Sequence, residues 1–307
     1  MPSASEIKEQ LAREAAQRNR LAVPAFAGGF LYLLSAITLT ETLKAAPTVG
    51  LLQGLTPALS GEATPAVSPR TAEVKFVSHH AFALIAGSTL AAIAVGALTL
   101  ILLLLLGATR FRRPQTWAPA LPLVLYGGIA VALVTVAHEV VSAIQTHNFA
   151  VGHDHSNHAV EQALTSGVAN SVSDYVALFA GLALAAGMIA TMLNALRVGL
   201  VPRWMGILGI FTGLLIFLPI FGAELQVVPT FWMVMMGILY IGKWPNGEPP
   251  AWAAGEARPW PSRAQMQAGQ AGNGRAVPAA AGAAAAPTPA LPGSSGSSRK
   301  RRKRGRG

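Results

Sequence analysis

The histidines are the side chains in this sequence with the clearest capacity for chemistry, and there are seven of them. His79 and His80 are adjacent, His138 precedes Glu139, and the stretch 147–158 reads HNFAVGHDHSNH. Imidazole and carboxylate groups suit zinc, copper, nickel or iron, and short His-rich tracts are metal-binding candidates. The spacing therefore predicts a transition-metal site, for zinc or copper, whose candidate ligands are His79, His80, His138, His153, His155 and His158.

Two other interpretations of these histidines stay open. One is a polar loop in which histidine is tolerated, and the other is a pH-responsive cluster, because histidine titrates near neutrality. A zinc-protease motif is excluded at His138: the HEVVS sequence starts like HExxH but has Ser142 where the second histidine must stand.

The composition indicates the class of protein that must position these residues. Hydrophobic residues make up 52% of the 307 residues and charged residues only 12%, about half the ~25% of an average soluble protein. The absence of cysteine excludes disulfides, thiolate metal sites and cysteine nucleophiles. This balance predicts an integral membrane protein.

Six apolar stretches approach the ~20 residues that a helix needs to cross a bilayer. They predict an all-α fold, a polytopic transmembrane bundle over 21–243. The predicted spans are 21–40, 81–106, 117–140, 176–196, 204–221 and 225–242. The last two are short, and a re-entrant hairpin is the alternative for that pair. The charge at Glu224 favours two full spans, because a carboxylate prefers the water interface.

The distribution of basic residues orients these spans. With six spans, 20 of the 23 Lys and Arg residues fall on one side, and only Lys44, Arg70 and Lys75 fall on the other. The positive-inside rule then predicts a plasma-membrane protein with both termini in the cytoplasm. All seven histidines map to the outer side.

The first 20 residues predict a cytoplasmic N-terminal helix. Ser3 and Glu6 have capping-box spacing, and Glu9/Arg13 and Glu14/Arg18 are helical i,i+4 pairs. The apolar face of this helix is thin and would suit the membrane surface.

The region 244–307 is rich in Pro, Gly, Ala and Ser, which predicts a disordered, basic cytoplasmic tail. Its basic run, from Arg299 to Arg306, predicts contact with anionic lipids of the inner leaflet. Specific nucleic-acid binding is not expected, because the run has no interleaved aromatic residues.

Small residues at four-residue spacing predict close helix packing in lipid. Gly209 and Gly213 form a GxxxG pair, and Gly181 and Ala185 repeat the pattern. Packing within one bundle is the plainer interpretation, and a homo-oligomer is the alternative. No ionisable residue lies near the centre of a predicted span, which disfavours a proton pump or a charge-coupled transporter.

Two motifs resemble those of uncharacterised multi-span integral membrane proteins of bacteria, especially actinobacteria. Residues 197–209 read RVGLVPRWMGILG, and residues 242–252 read GKWPNGEPPAW. The resemblance covers about residues 176–260. It implies a multi-span fold and no functional residues, since these proteins have no assigned activity.

The expected role is non-enzymatic: structural, assembly or sensing. No catalytic or cofactor-binding residues are assigned. The alternative is outward-facing binding or transport of a transition metal through the histidines. A third hypothesis is a metalloenzyme in which Glu139 or Glu161 acts as the base beside a metal-bound water.

Overall fold

The computed structural model describes residues 3–50, 67–166, 168–217, 226–245 and 247–260. Every regular element in those ranges is helical, which agrees with the predicted all-α class. The helices are α1 (Ala4–Lys44), α2 (Thr71–His79), α3 (Ala81–Arg112), α4 (Ala120–Val151), α5 (Asn157–Glu161), α6 (Val168–Val198), α7 (Arg203–Phe217), α8 (Val227–Tyr240) and α9 (Pro250–Ala254), with a π-helical turn at Gln162–Ser166.

Four of these helices are long and apolar enough to cross a membrane: α1, α3, α4 and the Asn170–Val198 part of α6. They contain most or all of the first four predicted spans. Apolar side chains on their outer surfaces are widely exposed, as Phe30 (69%), Leu133 (68%) and Phe179 (66%) illustrate. In a water-soluble bundle such surfaces would be costly, whereas lipid covers them at no cost.

The last two predicted spans correspond to shorter helices. Helix α7 has 15 residues and α8 has 14, so each is about 21–23 Å long at 1.5 Å per residue, against a hydrocarbon core of ~30 Å. Residues 218–225, including Glu224, lie outside the described residues. Four candidate spans are therefore observed, and six crossings stay a prediction.

The N-terminal helix and the first span form one continuous helix of 41 residues. The predicted capping box starts it: Ser3 Oγ accepts from Glu6 N at 3.3 Å, and Ser3 N donates to Glu6 Oε2 at 2.6 Å. The predicted Glu9–Arg13 pair is present at 2.5 Å and is exposed. Pro24 lies inside the helix without ending it.

Glycines allow the long helices to approach each other closely. A Cβ atom at Gly127 of α4 would lie 2.7 Å from the Leu184 nitrogen of α6, and one at Gly187 of α6 would lie 2.9 Å from the Val124 nitrogen of α4. A Cβ atom at Gly213 of α7 would lie 3.3 Å from the Ala185 carbonyl oxygen of α6. The small residues of α6 and α7 thus pack within the chain, as the plainer interpretation expected, and a homo-oligomer stays untested.

Two ends of the bundle can be distinguished. The "basic end" contains the start of α1, the α3–α4 and α6–α7 connections, and residues 241–260. The "histidine end" contains the end of α1, helices α2 and α5, the π-helical turn and the start of α6. Contacts such as Arg112–Glu14 at one end and Ser68 N to His155 O (2.8 Å) at the other join the elements within each end.

Part of the predicted tail is folded. Residues 247–260, here named the "clasp", pack on the basic end, where Ala251 and Trp252 are 0% and 3% exposed. The low apolar content of the whole region predicted disorder from residue 244 onward. This part, however, contains two tryptophans and a short helix, α9, and their apolar side chains can be buried. The rest of the predicted tail, 261–307, lies outside the described residues.

Candidate functional site

The structure places the candidate metal ligands on several separate elements of the histidine end. His79 ends α2, and His80 stacks on the Phe76 ring at 4.0 Å while its Nδ1 lies 2.9 Å from the Phe76 carbonyl oxygen. His153 lies in the turn that precedes α5 and His158 in the first turn of α5, and both are exposed. These side chains have local partners or face solvent.

His138 has a partner on a different helix. Its Nδ1 lies 3.0 Å from Ser173 Oγ and 3.7 Å from Asp174 Oδ1, both on α6. This pair of helices therefore brings an imidazole and a carboxylate together, but at a half-exposed position. The other predicted ligands do not join them.

The loop run is held by its own hydrogen bonds. Ser156 N donates to Asp154 Oδ1 at 2.9 Å, and the hydrogen bonds from the Ser156 backbone and side chain hold the pKa of the Asp154 carboxyl below its usual value. The His155 ring lies 5.0 Å from the Phe149 ring, over a small apolar cluster formed by Val74, Phe149, Val160 and Ala163. Asp154 is thus engaged in a turn.

No group of three or more histidine and acidic side chains within the described ranges is close enough together to hold a metal ion. All six predicted ligands lie within those ranges. The structure therefore gives the metal-site hypothesis no support, and the hypothesis stays a prediction.

The densest arrangement of polar side chains lies at the basic end. Arg112, in the last turn of α3, forms a two-point ion pair with Glu14 of α1: Nη1 donates to Oε1 at 2.9 Å and Nη2 to Oε2 at 2.7 Å. The two side chains are 0% and 2% exposed. Burying either charge without the other would cost several kcal/mol, so the two side chains are buried as a pair.

Arg112 also holds the clasp. Its Nε donates to the Ala251 carbonyl oxygen at 2.9 Å, and Nη1 donates to the Ala108 carbonyl oxygen at 2.9 Å. Gln10 Nε2 donates to Glu14 Oε1 at 3.0 Å from the other side. Both members of the pair are therefore hydrogen-bonded to several neighbours, which is typical of a structural ion pair.

Trp252 is the apolar centre of the clasp. Its indole Nε1 donates to the Leu200 carbonyl oxygen at 2.9 Å, just beyond the end of α6. Two guanidinium groups approach its ring, Arg18 at 4.6 Å from the centroid and Arg112 at 5.4 Å. Arg18 also pairs with Glu248 of the clasp.

These contacts correct one expectation. The i,i+4 spacing predicted a pair between Glu14 and Arg18, but each charge finds a partner from a different segment, Arg112 and Glu248 respectively. The long-range partners are held by a packed environment, whereas an i,i+4 pair on an open helix gains only ~0.3–0.5 kcal/mol.

The clasp also completes the end of α6. Arg258 N donates to the Val198 carbonyl oxygen at 3.0 Å, which satisfies one of the carbonyls that a helix C-terminus leaves without a partner. Gly199, the residue after Val198, has a φ of 86°, and a side chain there would overlap the Arg258 carbonyl oxygen. Only glycine allows the clasp to approach this closely.

A groove lies between α1 and α3 beside the buried pair. Its cavity volume is about 530 Å³. One wall carries Gln10, Glu14, Gln17 and Arg20, which repeat at helical spacing on α1. The opposite wall is the apolar last part of α3, from Leu100 to Ala108. The groove is thus mainly polar on the α1 side, which ends at Leu21, and apolar on the α3 side.

The basic end was not predicted as a site from the sequence. The signals available were the tryptophan in GEPPAW and the acidic residue at position 14. Neither pointed to a partner, because the interacting groups are far apart in the chain: Arg112 and Glu14 are separated by 98 residues.

Comparisons with known proteins found no match for this chain among protein-family models, curated proteins or solved structures. The resemblance over residues 176–260 therefore stays a prediction.

Proposed function

We propose that this protein is a non-enzymatic plasma-membrane scaffold with six crossings and both termini in the cytoplasm. The clasp is the observation that carries the proposal. It is fastened to the bundle by Arg112, Trp252 and the end of α6, so the chain that follows Trp260 starts from a fixed point. Such an anchor would present the basic C-terminal region at the inner membrane surface.

The distribution of charge supports this orientation. Of the basic residues within the described ranges, only Lys44, Arg70 and Lys75 belong to the histidine end. Basic residues close to span ends favour the cytoplasmic side. The short helices α7 and α8 fit six crossings if they sit among longer neighbours in a locally thinned bilayer.

Substituted cysteines test the crossings, since the natural chain has no cysteine. We expect an impermeant maleimide, applied to intact cells, to label Asn157→Cys and Gln226→Cys, and to label Gln115→Cys and Ser298→Cys only after permeabilisation. Asn157 is preferable to Ser156, whose side chain caps α5. Labelling of Ser298→Cys in intact cells would overturn the orientation, and labelling of Gln226→Cys only after permeabilisation would replace the last two crossings by a re-entrant hairpin.

A second measurement tests the proposed contact of the basic run with anionic lipid. A dye on Ser298→Cys in proteoliposomes should be quenched by a headgroup-labelled lipid in phosphatidylglycerol vesicles and less in phosphatidylcholine vesicles. High salt should reduce the difference, because exposed charges are screened. A matched variant with the seven basic residues of the run changed to Gln should behave alike in both vesicles. Equal quenching of the natural chain in both lipids would contradict the contact.

A further inference from the structure

The groove between α1 and α3 lies where the predicted second span ends. That span was placed at 81–106, and the α3 wall of the groove runs from Leu100 to Ala108. Leu100 and Leu103 are therefore at the depth of acyl chains, while the polar α1 wall begins where headgroups lie. The groove straddles the boundary between hydrocarbon and water.

Charge within the groove favours an anion. Glu14 lines it, but Arg112 neutralises that carboxylate through two hydrogen bonds of 2.9 and 2.7 Å. Arg20 also lines it and has no hydrogen bond or ion pair with any residue that the structure describes. One uncompensated guanidinium remains, beside the amide of Gln17 one turn earlier on the same helix face.

The opposite wall is open because it contains glycine. Gly107 is exposed, and a Cβ atom placed on it would meet no heavy atom within 4 Å. Leu104 and Ala108, next to it, are 8% and 1% exposed and form the floor. The space above Gly107 is thus free for a ligand and is not needed for packing between the helices.

From this combination we infer that the groove binds one anionic phospholipid, with the phosphate at Arg20 and Gln17 and an acyl chain along Leu100 and Leu103. A guanidinium hydrogen-bonded to phosphate is a strong charge-assisted contact, and the leucines offer apolar surface that already faces lipid. The site is distinct from the basic run at the C-terminus. Its assignment to the inner leaflet rests on the proposed orientation.

Native mass spectrometry of the full chain in detergent tests the inference, with dioleoylphosphatidylglycerol and dioleoylphosphatidylcholine as probes. We expect one phosphatidylglycerol per chain at concentrations where phosphatidylcholine is not retained. Arg20→Gln should weaken the binding about tenfold, since a hydrogen bond to a charged group contributes about that factor. Gly107→Leu should weaken it through occupation of the groove.

Each variant has a matched control. Lys8→Gln removes one positive charge from an exposed position on the same helix, outside the groove. Gly96→Leu adds the same side chain three turns away on α3, where a Cβ atom also meets nothing within 4 Å. Both controls should bind phosphatidylglycerol like the natural chain, and the melting temperature without added lipid should be similar for all four variants.

Equal retention of the two lipids, equal weakening by Lys8→Gln and Arg20→Gln, or no retained lipid would each overturn the inference. Because the binding is measured in micelles, it does not depend on the direction of insertion. The cysteine labelling reads that direction separately, so a failure of the lipid site and a failure of the proposed topology are distinguishable.

Discussion

The two ends of the bundle use the same type of ion pair in opposite environments. At the basic end, the Arg112 and Glu14 side chains are 0% and 2% exposed. At the histidine end, Arg70, the residue before α2, pairs with Glu73 in the first turn of α2, and the two side chains are 44% and 28% exposed. Similar chemistry is therefore embedded in the core of one end and left on the surface of the other.

The difference extends to the surrounding contacts. Arg112 contacts the Trp252 ring and two backbone carbonyl oxygens, and a second arginine, Arg18, approaches the same ring. At the histidine end, the apolar cluster has only four buried members, Arg70 and Asp154 bond within their own turns, and His138 bonds to Ser173 of another helix at a half-exposed position. We therefore expect substitutions at the buried ion pair to lower the free energy of unfolding more than substitutions at the exposed pair.

The largest effect is expected from Arg112→Ala. It leaves the Glu14 carboxylate buried without a partner, which costs about 3–5 kcal/mol of unfolding free energy. Reversible denaturation in detergent micelles measures the loss. The double variant Glu14→Leu/Arg112→Met should lose much less than Arg112→Ala, because it removes both charges and keeps the volume.

The matched control at the other end is Glu73→Ala, which should cost less than about 1 kcal/mol, as is usual for exposed pairs. A loss equal to that of Arg112→Ala would refute the contrast between the ends.

The next largest effect is expected from Trp252→Ala. Removal of the buried ring costs about 3 kcal/mol, but the clasp can detach while the bundle stays folded, so proteolysis is the sharper measurement. A glutamyl endopeptidase should cleave after Glu256, within the clasp, faster in the variant than in the natural chain. Trp117→Ala removes a tryptophan that is 49% exposed and should leave the cleavage rate unchanged; a similar acceleration there would argue against the role of Trp252.

A smaller effect is expected from Gly199→Ala, through strain and through displacement of the clasp. The positive φ costs about 1–3 kcal/mol for a residue with a side chain, and the methyl group would overlap the Arg258 carbonyl oxygen. Gly242→Ala shares the strain, with a φ of 72°, but meets no atom within 4 Å. Only Gly199→Ala should expose the Glu256–Ala257 bond to glutamyl endopeptidase, and equal exposure in both variants would mean that strain alone matters.

The smallest effect is expected from changing His153, His155 and His158 to Ala together. Substitutions at such positions usually alter stability by less than about 0.5 kcal/mol each. Metal content by mass spectrometry, on protein without a histidine tag, is the accompanying measurement. Stoichiometric zinc or copper that is lost in the triple variant, with a zinc-dependent rise of the melting temperature, would revive the metal site and reverse the expected contrast between the ends.

Several features of the fold could be predicted from the sequence because they depend on neighbouring residues. Hydropathy over some 20 residues placed the four long helices, and the spacing of Ser3 and Glu6 identified the cap of α1. The histidines illustrate the limit of this reasoning. Their closeness in sequence suggested a common site, but α2, α4 and the loop before α5 direct them to different places.

The sequence alone determined the helical class, the apolar segments and the asymmetry of charge, since each is a property of composition or of local periodicity. Only the tertiary structure decided that Glu14 pairs with Arg112 and that the clasp folds onto the basic end. The physical reason is that the free energy of a buried charge depends on the groups around it, and segments distant in the sequence supply those groups. Helix spacing allowed Glu14 to pair with Arg18, but the exclusion of water around Arg112 and Trp252 made the long-range partner the better one.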